Sequence, residues 1–308
     1  MQLLVAFSLI CLINQLVNAS VSTSVVGGTP VPAGSFPYYV HLFNPTCGGS
    51  LIHPDVVLTA AHCTSFVGRT VSIGAKRLDG IGAESKLVIA TLVHPAFNAT
   101  GNEENDIRLL KLQNPSSAAL VELNTNRLIP ALDSKVDVMG FGKTSETGVL
   151  SFTLQQVQVT VQDYEVCQTM PNMNIVGDPD TQICAGELAG GKDSCDGDSG
   201  GPLIVAGTNL QVGIVSVGIG CARVNTSAIY TKVSAYDEFI QNGICELSSF
   251  PPASCGPSAT PSRQPSLAPS ITSMPSGTPS ISSEPTVSAS PTISDDDEER
   301  CLFRCLCR

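Results

Sequence analysis

The sequence predicts an all-β domain, a sandwich or barrel of short strands, closed by one helix and followed by an extended tail. Three observations point there. Residues 25–234 carry many short apolar runs separated by Gly, Pro, Asn and Asp: Val56–Leu58, Val71–Ile73, Leu87–Ala90, Val136–Met139, Val157–Val161, Val212–Val217 and Ile229–Val233. Helical spacing shows in Ala235–Ile244 (AYDEFIQNGI), where Tyr236, Phe239 and Ile240 share a face. After Cys245 the composition turns to Ser, Pro and Thr with a recurring Pro-Ser step, which buries too little to fold.

Taken in order, residues 1–19 read as a signal peptide. Leu3–Ile13 is a short apolar run, and Val17, Asn18 and Ala19 precede the cleavage point; no positive charge leads the run. Residues 20–24 are left as a short propeptide and 25–245 as the folded domain. A disordered Ser/Pro/Thr-rich linker over 246–294 is a candidate O-glycosylated stalk. The stretch 295–308 is an acidic run, then a Cys-rich end. That end sets Cys305 where a prenylated Cys would sit, but Arg308 is a poor final residue, and the tail lacks the apolar stretch of a GPI signal. No other stretch reaches the ~20 apolar residues of a membrane span. A protein exported to the extracellular space is expected.

The 308 residues include 27 acidic and 16 basic ones, a formal charge of −11. That balance argues against a nucleic-acid binder, which shows a basic face. It suits attraction of cationic substrates. Cys11 leaves with the signal peptide, and the other eleven cysteines enter an oxidising compartment where disulfides persist. The odd count leaves at least one mature Cys unpaired or paired between chains. Only Cys301, Cys305 and Cys307 approach zinc-ligand spacing, so no metal is expected. Asn98-Ala99-Thr100 and Asn225-Thr226-Ser227 are glycosylation acceptors.

Three segments carry chemistry. Gly197-Asp198-Ser199-Gly200-Gly201-Pro202 sets a Ser among glycines, which let the backbone turn tightly and approach a substrate. His62 follows an apolar strand within Thr59-Ala60-Ala61-His62-Cys63, and His is the commonest general base at neutral pH. Asp106 heads the apolar strand of Asn105-Asp106-Ile107-Arg108-Leu109-Leu110, where a carboxylate can enter the protein and hold an imidazole in one tautomer. Singly, each has an ordinary reading: a Gly-rich turn, a structural His, a strand-capping Asp.

Together, in the order His62, Asp106, Ser199, they resemble the chymotrypsin/trypsin family of serine peptidases over about residues 25–245. The resemblance implies two six-stranded antiparallel Greek-key β-barrels with the active site between them and a C-terminal helix. It implies Ser199 as nucleophile, His62 as base and Asp106 as its orienting partner. Gly197 and Ser199 would supply the oxyanion-hole N–H groups, and Ser216 would support Asp106. The pairs Cys47–Cys63, Cys167–Cys184 and Cys195–Cys221 are implied, with Cys245–Cys255 a local extra. Another common family pair is replaced by Val136 and Val205.

Six positions before Ser199, Asp193 falls at the base of the family's S1 pocket, with Ser194 beside it, which implies cleavage after Arg or Lys. Gly218 and Ser216 match the pocket wall. Ala228 stands where Gly is usual and Val217 where Trp is usual, so an altered S1 specificity is the alternative. Asp196 and Glu103 add negative charge near the cleft. Val25 resembles the family's new N-terminus, whose amine would pair with Asp198 in a zymogen activation. Ser24 departs from the usual Arg or Lys: either another protease removes residues 20–24 or signal peptidase cuts after Ser24. Gly74–Lys86 is poor in the carboxylates of the family's calcium loop, and no cofactor is expected. Partners implied are protein or peptide substrates with Arg or Lys and protein protease inhibitors, acting on a monomer. A non-catalytic binding homologue is the remaining alternative, disfavoured because all three residues are present.

Overall fold

The computed structural model describes residues 25–64, 66–98, 104–170 and 177–256. The expected signal peptide, the propeptide, Glu103, Thr100 and the tail from 257 lie outside the described residues. Fourteen strands are described; several, such as Tyr39–Leu42, Cys47–His53 and Val56–Thr59, are buried along nearly their whole length, and others follow period-two alternation. β10 (Gln155–Val161) shows it: Val157, Val159 and Val161 are buried while Gln158 is exposed.

β2 (Tyr39–Leu42), β3 (Cys47–His53), β4 (Val56–Thr59), β7 (Arg108–Leu112), β6 (Glu84–Val93) and β5 (Thr70–Ile73) close in that order into an antiparallel barrel. The second barrel joins β9 (Lys135–Gly140), β10, β11 (Gln182–Gly186), β14 (Ala228–Lys232), β13 (Leu210–Gly218) and β12 (Pro202–Val205), and β12 pairs back onto β9. Closure leaves neither barrel with an open edge. β1 (Thr29–Pro30) adds to β10, and β8 (Glu122–Leu123) runs parallel to β13. The first barrel is filled by residues such as Leu42, Leu51, Leu58 and Leu110, the second by Val138, Val159, Leu203 and Tyr230. Each such apolar side chain contributes about 1.5–3 kcal/mol by leaving water. Val136 and Val205 stand directly opposite each other in the β9–β12 ladder, so two apolar side chains meet where a disulfide would otherwise sit.

Two helices are described. α1 (Tyr164–Gln168) is capped by the Asp163 carboxylate, which accepts the Glu165 N–H. Its five residues carry too little periodicity to read from sequence. α2 (Asp237–Leu247) starts two residues later than the periodicity suggests, because Val233–Ala235 forms a 3₁₀ turn. It rests on the outside of the first barrel: a Cβ at Gly243 would lie 2.3 Å from Leu109 Cδ1. That cover explains why β7 is buried along its whole length instead of alternating.

The described chain continues past Cys245 to Gly256. A Cys245–Cys255 disulfide closes a short loop. Ser248 Oγ donates to Asp55 Oδ1 at 2.8 Å, and the Ser249 N–H donates to Asp55 Oδ2 at 2.8 Å. Lys111 Nζ also donates to Asp55, and His53 Nδ1 lies 2.9 Å from Asp55 Oδ1. Burial pushes the Asp55 carboxyl up, but these donors, Lys111 foremost, outweigh it and hold it down at about 2. No described helix is long and apolar enough to cross a membrane.

Candidate active site

Of the four histidines, His41 is buried between the Phe43 and Phe141 rings, and burial pushes it down to about 4. His53 belongs to the Asp55 cluster, and His94 packs edge-on against Tyr236 and Phe239. His62 lies three residues past the end of β4, where its backbone N–H donates to Asp106 Oδ1 at 2.9 Å. Its ring Nδ1 is 2.7 Å from Asp106 Oδ2. Asp106 is fully buried, while the His62 side chain is 28% exposed. Ser216 Oγ donates to the same Oδ2 at 2.6 Å, and Thr231 Oγ1 donates to the Asp106 carbonyl at 3.0 Å. One carboxylate thus meets the His62 backbone N–H, the His62 ring and the Ser216 hydroxyl together.

Ser199 comes from the second barrel and meets the residue next to His62. The Gly48 N–H donates to the Ser199 carbonyl at 2.7 Å, and Cys63 Sγ lies 3.6 Å from that oxygen. The contact is made possible by Gly200, whose φ is +76° and whose Cβ would sit 2.2 Å from Thr59 Oγ1. A side chain there would drive Ser199 away from the end of β4. The Cys47–Cys63 disulfide ties β3 to the residue after His62.

The turn before Ser199 is shaped by Asp198. This fully buried carboxylate accepts the Gly142 N–H at 2.8 Å and the Cys195 N–H at 2.9 Å. Burial pushes it up to about 7, against those two hydrogen bonds. Gly142 has to be Gly, since its Cβ would meet the Asp198 carboxylate at 2.4 Å. The Val25 side chain is fully buried in the core of the second barrel, and the Asp193 N–H donates to the Val26 carbonyl at 3.2 Å.

A cavity of about 170 Å³ opens beside Ser199, lined by Ser194, Ser216, Val217, Gly218 and Ala228 among others. Gly218 and Ala228 face each other in the β13–β14 register, and the Ala228 Cβ lies 3.6 Å from where a Cβ at 218 would be. Asp193 is 5% exposed and does not itself line the cavity. Its Oδ2 accepts the Ala222 N–H at 2.9 Å, while Oδ1 is buried with no partner among the described residues. Burial pushes this carboxyl up to about 6. The Cys195–Cys221 disulfide joins the two sides of the cavity mouth, and Cys167–Cys184 braces α1 against β11. Lys143 Nζ donates to Asp196 at 2.8 Å, and Arg223 Nε donates to Glu146 at 2.7 Å, so loop 143–146 is strapped to both walls. Sequence reading passes over Lys143, Glu146, Gly142 and Arg223, because no spacing announces partners so far apart. Asn225 sits in a loop at φ +58°, its N–H donating to the Leu188 carbonyl at 2.9 Å. The group Cys47, His62 and Cys63 offers no metal site, because both thiols are spent in the disulfide.

The family model described as Trypsin matches residues 25–240. The chain is 38% identical over 229 residues to "Trypsin" of Sus scrofa, covering 71% of this chain and 95% of that protein. It is 35% identical over 231 residues to "Trypsin-like protease" of Streptomyces glaucescens, covering 72% and 83%. With "Trypsin" of Simulium vittatum it shares 34% over 240 residues, covering 74% and 96%. Two closed antiparallel barrels, a Ser and a His–Asp pair brought to one place between them, and this similarity along nearly the whole length of the relatives lead to one conclusion: the chain belongs to the trypsin family and is a serine-type endopeptidase.

Proposed function

We propose that this endopeptidase is secreted and cleaves after Arg and Lys through a triad of His62, Asp106 and Ser199. The carrying observation is the two-point grip of Asp106 on His62, 2.9 Å to the backbone N–H and 2.7 Å to ring Nδ1, beside the Ser199 turn. In this reading Asp106 fixes the tautomer that leaves Nε2 to take the Ser199 proton. Ser199 Oγ attacks the scissile carbonyl, and the developing oxyanion meets the N–H groups of Gly197 and Ser199. His62 then gives its proton to the leaving amine, and water repeats the sequence on the acyl-enzyme.

Specificity follows from Asp193. A buried carboxylate oxygen without a partner gains most from a cationic side chain, and a neutral one leaves it unsatisfied. Ala228 narrows the approach. Activation would free the Val25 amine to pair with Asp198, whose buried charge has only N–H donors in the described structure. Signal-peptide removal, glycans on Asn98 and Asn225 and inhibition by substrate-like protein inhibitors belong to the same reading.

The test is the full chain activated at Val25, assayed on Arg, Lys and Phe peptide substrates. Ser199→Ala and Asp106→Asn are the controls. Asp106→Asn is expected to lower kcat by about 10⁴, the scale of that substitution in other serine peptidases of this family. Wild-type turnover by Ser199→Ala would overturn the mechanism, and preference for Phe would overturn the role of Asp193.

A further inference from the structure

The proposed mechanism leaves one buried cation beside the dyad unused. Arg108 opens β7, in register with Thr59 of β4 and Val93 of β6, and is only 8% exposed. Along the extended chain Ile107 and Leu109 take one side, and Asp106 and Arg108 take the other. Both reach the same peptide group. Asp106 Oδ1 accepts the His62 N–H at 2.9 Å, and Arg108 Nη2 donates to the Ala61 carbonyl at 2.8 Å. The Ala61–His62 peptide plane is therefore held at both ends by oppositely charged side chains two residues apart.

This arrangement is costly if its purpose is packing. Arg108 Nε is buried without a partner among the described residues. Burying a guanidinium opposes folding, and an apolar side chain of similar volume fills such a site at less cost. Burial lowers the Arg108 pKa, while the nearby Asp106 charge raises it. Other groups facing the dyad are neutral or acidic. Ser216 and His62 meet the carboxylate, Thr231 meets its backbone, and Tyr236, hydrogen-bonded to Asn105, feels Asp106 and Glu104. Arg108 supplies the fixed positive charge of this set.

We propose that Arg108 is a positioning residue of the peptidase reaction, fixing the peptide plane from which the His62 ring extends and backing the Asp106 carboxylate with a permanent cation. The proposal rests on reading His62, Asp106 and Ser199 as the catalytic groups. Its physical basis is that a general base must stay within hydrogen-bond reach of its proton, and a tilt of the peptide bearing it displaces the ring. A cation there also makes charging the His62 ring harder, which sets the acid limb of the pH–rate profile.

The experiment uses the full chain activated at Val25, with rates normalised to active sites titrated by a serine-acylating reagent. Arg108→Met is expected to lower kcat per active site about 10- to 100-fold with KM within about 2-fold. The acid limb of kcat/KM should move up by about 0.3–1 pH unit. Arg108→Lys keeps a charge and a donor and should recover most of the lost kcat. Arg108→Gln, which keeps a donor without the charge, provides the same acid-limb readout should the Met variant fail to fold. An unchanged kcat per site with an unmoved acid limb, whatever the thermal stability, overturns the proposal. Asp106→Asn and Ser199→Ala run alongside. If they keep wild-type kcat, the catalytic reading has failed; if they lose it while Arg108 variants do not, only this inference has failed.

Discussion

Asp193 gives one carboxylate oxygen to the Ala222 N–H at 2.9 Å and keeps the other buried and unpartnered. This half-satisfied carboxylate, next in sequence to the cavity-lining Ser194, carries the proposed specificity. Burial raises this carboxyl from 3.8 to about 6, so the empty site gains a proton as pH falls through 6. Binding of a cationic competitive inhibitor such as an arylamidine should weaken about tenfold per pH unit below 6, because that proton must leave first. Isothermal titration from pH 4.5 to about 8 checks this. Asp193→Asn should bind weakly with no such break. A break that survives the substitution would assign the titration to another group.

Ala228 places its methyl in the cavity lining, opposite Gly218. Ala228→Gly should therefore raise kcat/KM for Arg and Lys substrates, by about 10-fold, the scale of one methylene in a pocket. The ratio of the two rates reports which side chain the methyl hinders more. An unchanged rate for both would mean the methyl does not obstruct the approach.

Asp198 carries a carboxyl raised from 3.8 to about 7 by burial. A raised acid contributes stability that is complete below about pH 4 and is lost as pH rises through 7. With residues 1–24 attached, the Tm should fall across that window. With Val25 as first residue, the α-amine can neutralise Asp198, and the Tm at pH 8 should be higher by roughly 5–10 °C. Calorimetry of both forms in the Ser199→Ala background, which on the proposed mechanism cannot self-digest, checks the difference. Identical pH profiles would remove the amine–Asp198 pairing.

Asp55 has the opposite sign. Its carboxyl is held at about 2 by Lys111, the Ser249 N–H, His53 and Ser248. The stability it contributes is present above about pH 4 and is lost as pH falls toward 2. Asp55→Ala should destabilise the domain by about 3–5 kcal/mol, because it leaves the Lys111 ammonium buried without its partner. Asp55→Ala combined with Lys111→Met should recover much of the loss. Urea unfolding at pH 7 measures both. A double variant no better than the single one would mean the lost segment 248–256, and not the stranded charge, sets the cost.

The motifs around His62, Asp106 and Ser199 were legible in the sequence because such chemistry demands particular residue types at short range, while the spacing of Asp193 and Asp198 from Ser199 carried meaning only through the family resemblance. The all-β character was legible because short apolar runs broken by Gly, Pro, Asn and Asp are a local signal. β7 was visible only as an apolar run, since α2 covers its outer face and removes the alternation. Nothing local marks Val136 as the neighbour of Val205, or Glu146 as the partner of Arg223.

What the sequence determined by itself was the inventory: a Ser set among glycines, a His after an apolar strand, an Asp at the head of another, and a chain rich in short apolar runs. Only the tertiary structure decided that Asp106 grips His62 at two points, that Gly200 lets Ser199 close onto β4, and that Arg108 and Asp106 hold one peptide from both ends. Those relations join residues from different strands and barrels. They come from barrel closure and the burial of apolar faces, which are properties of the whole chain and not of any one segment.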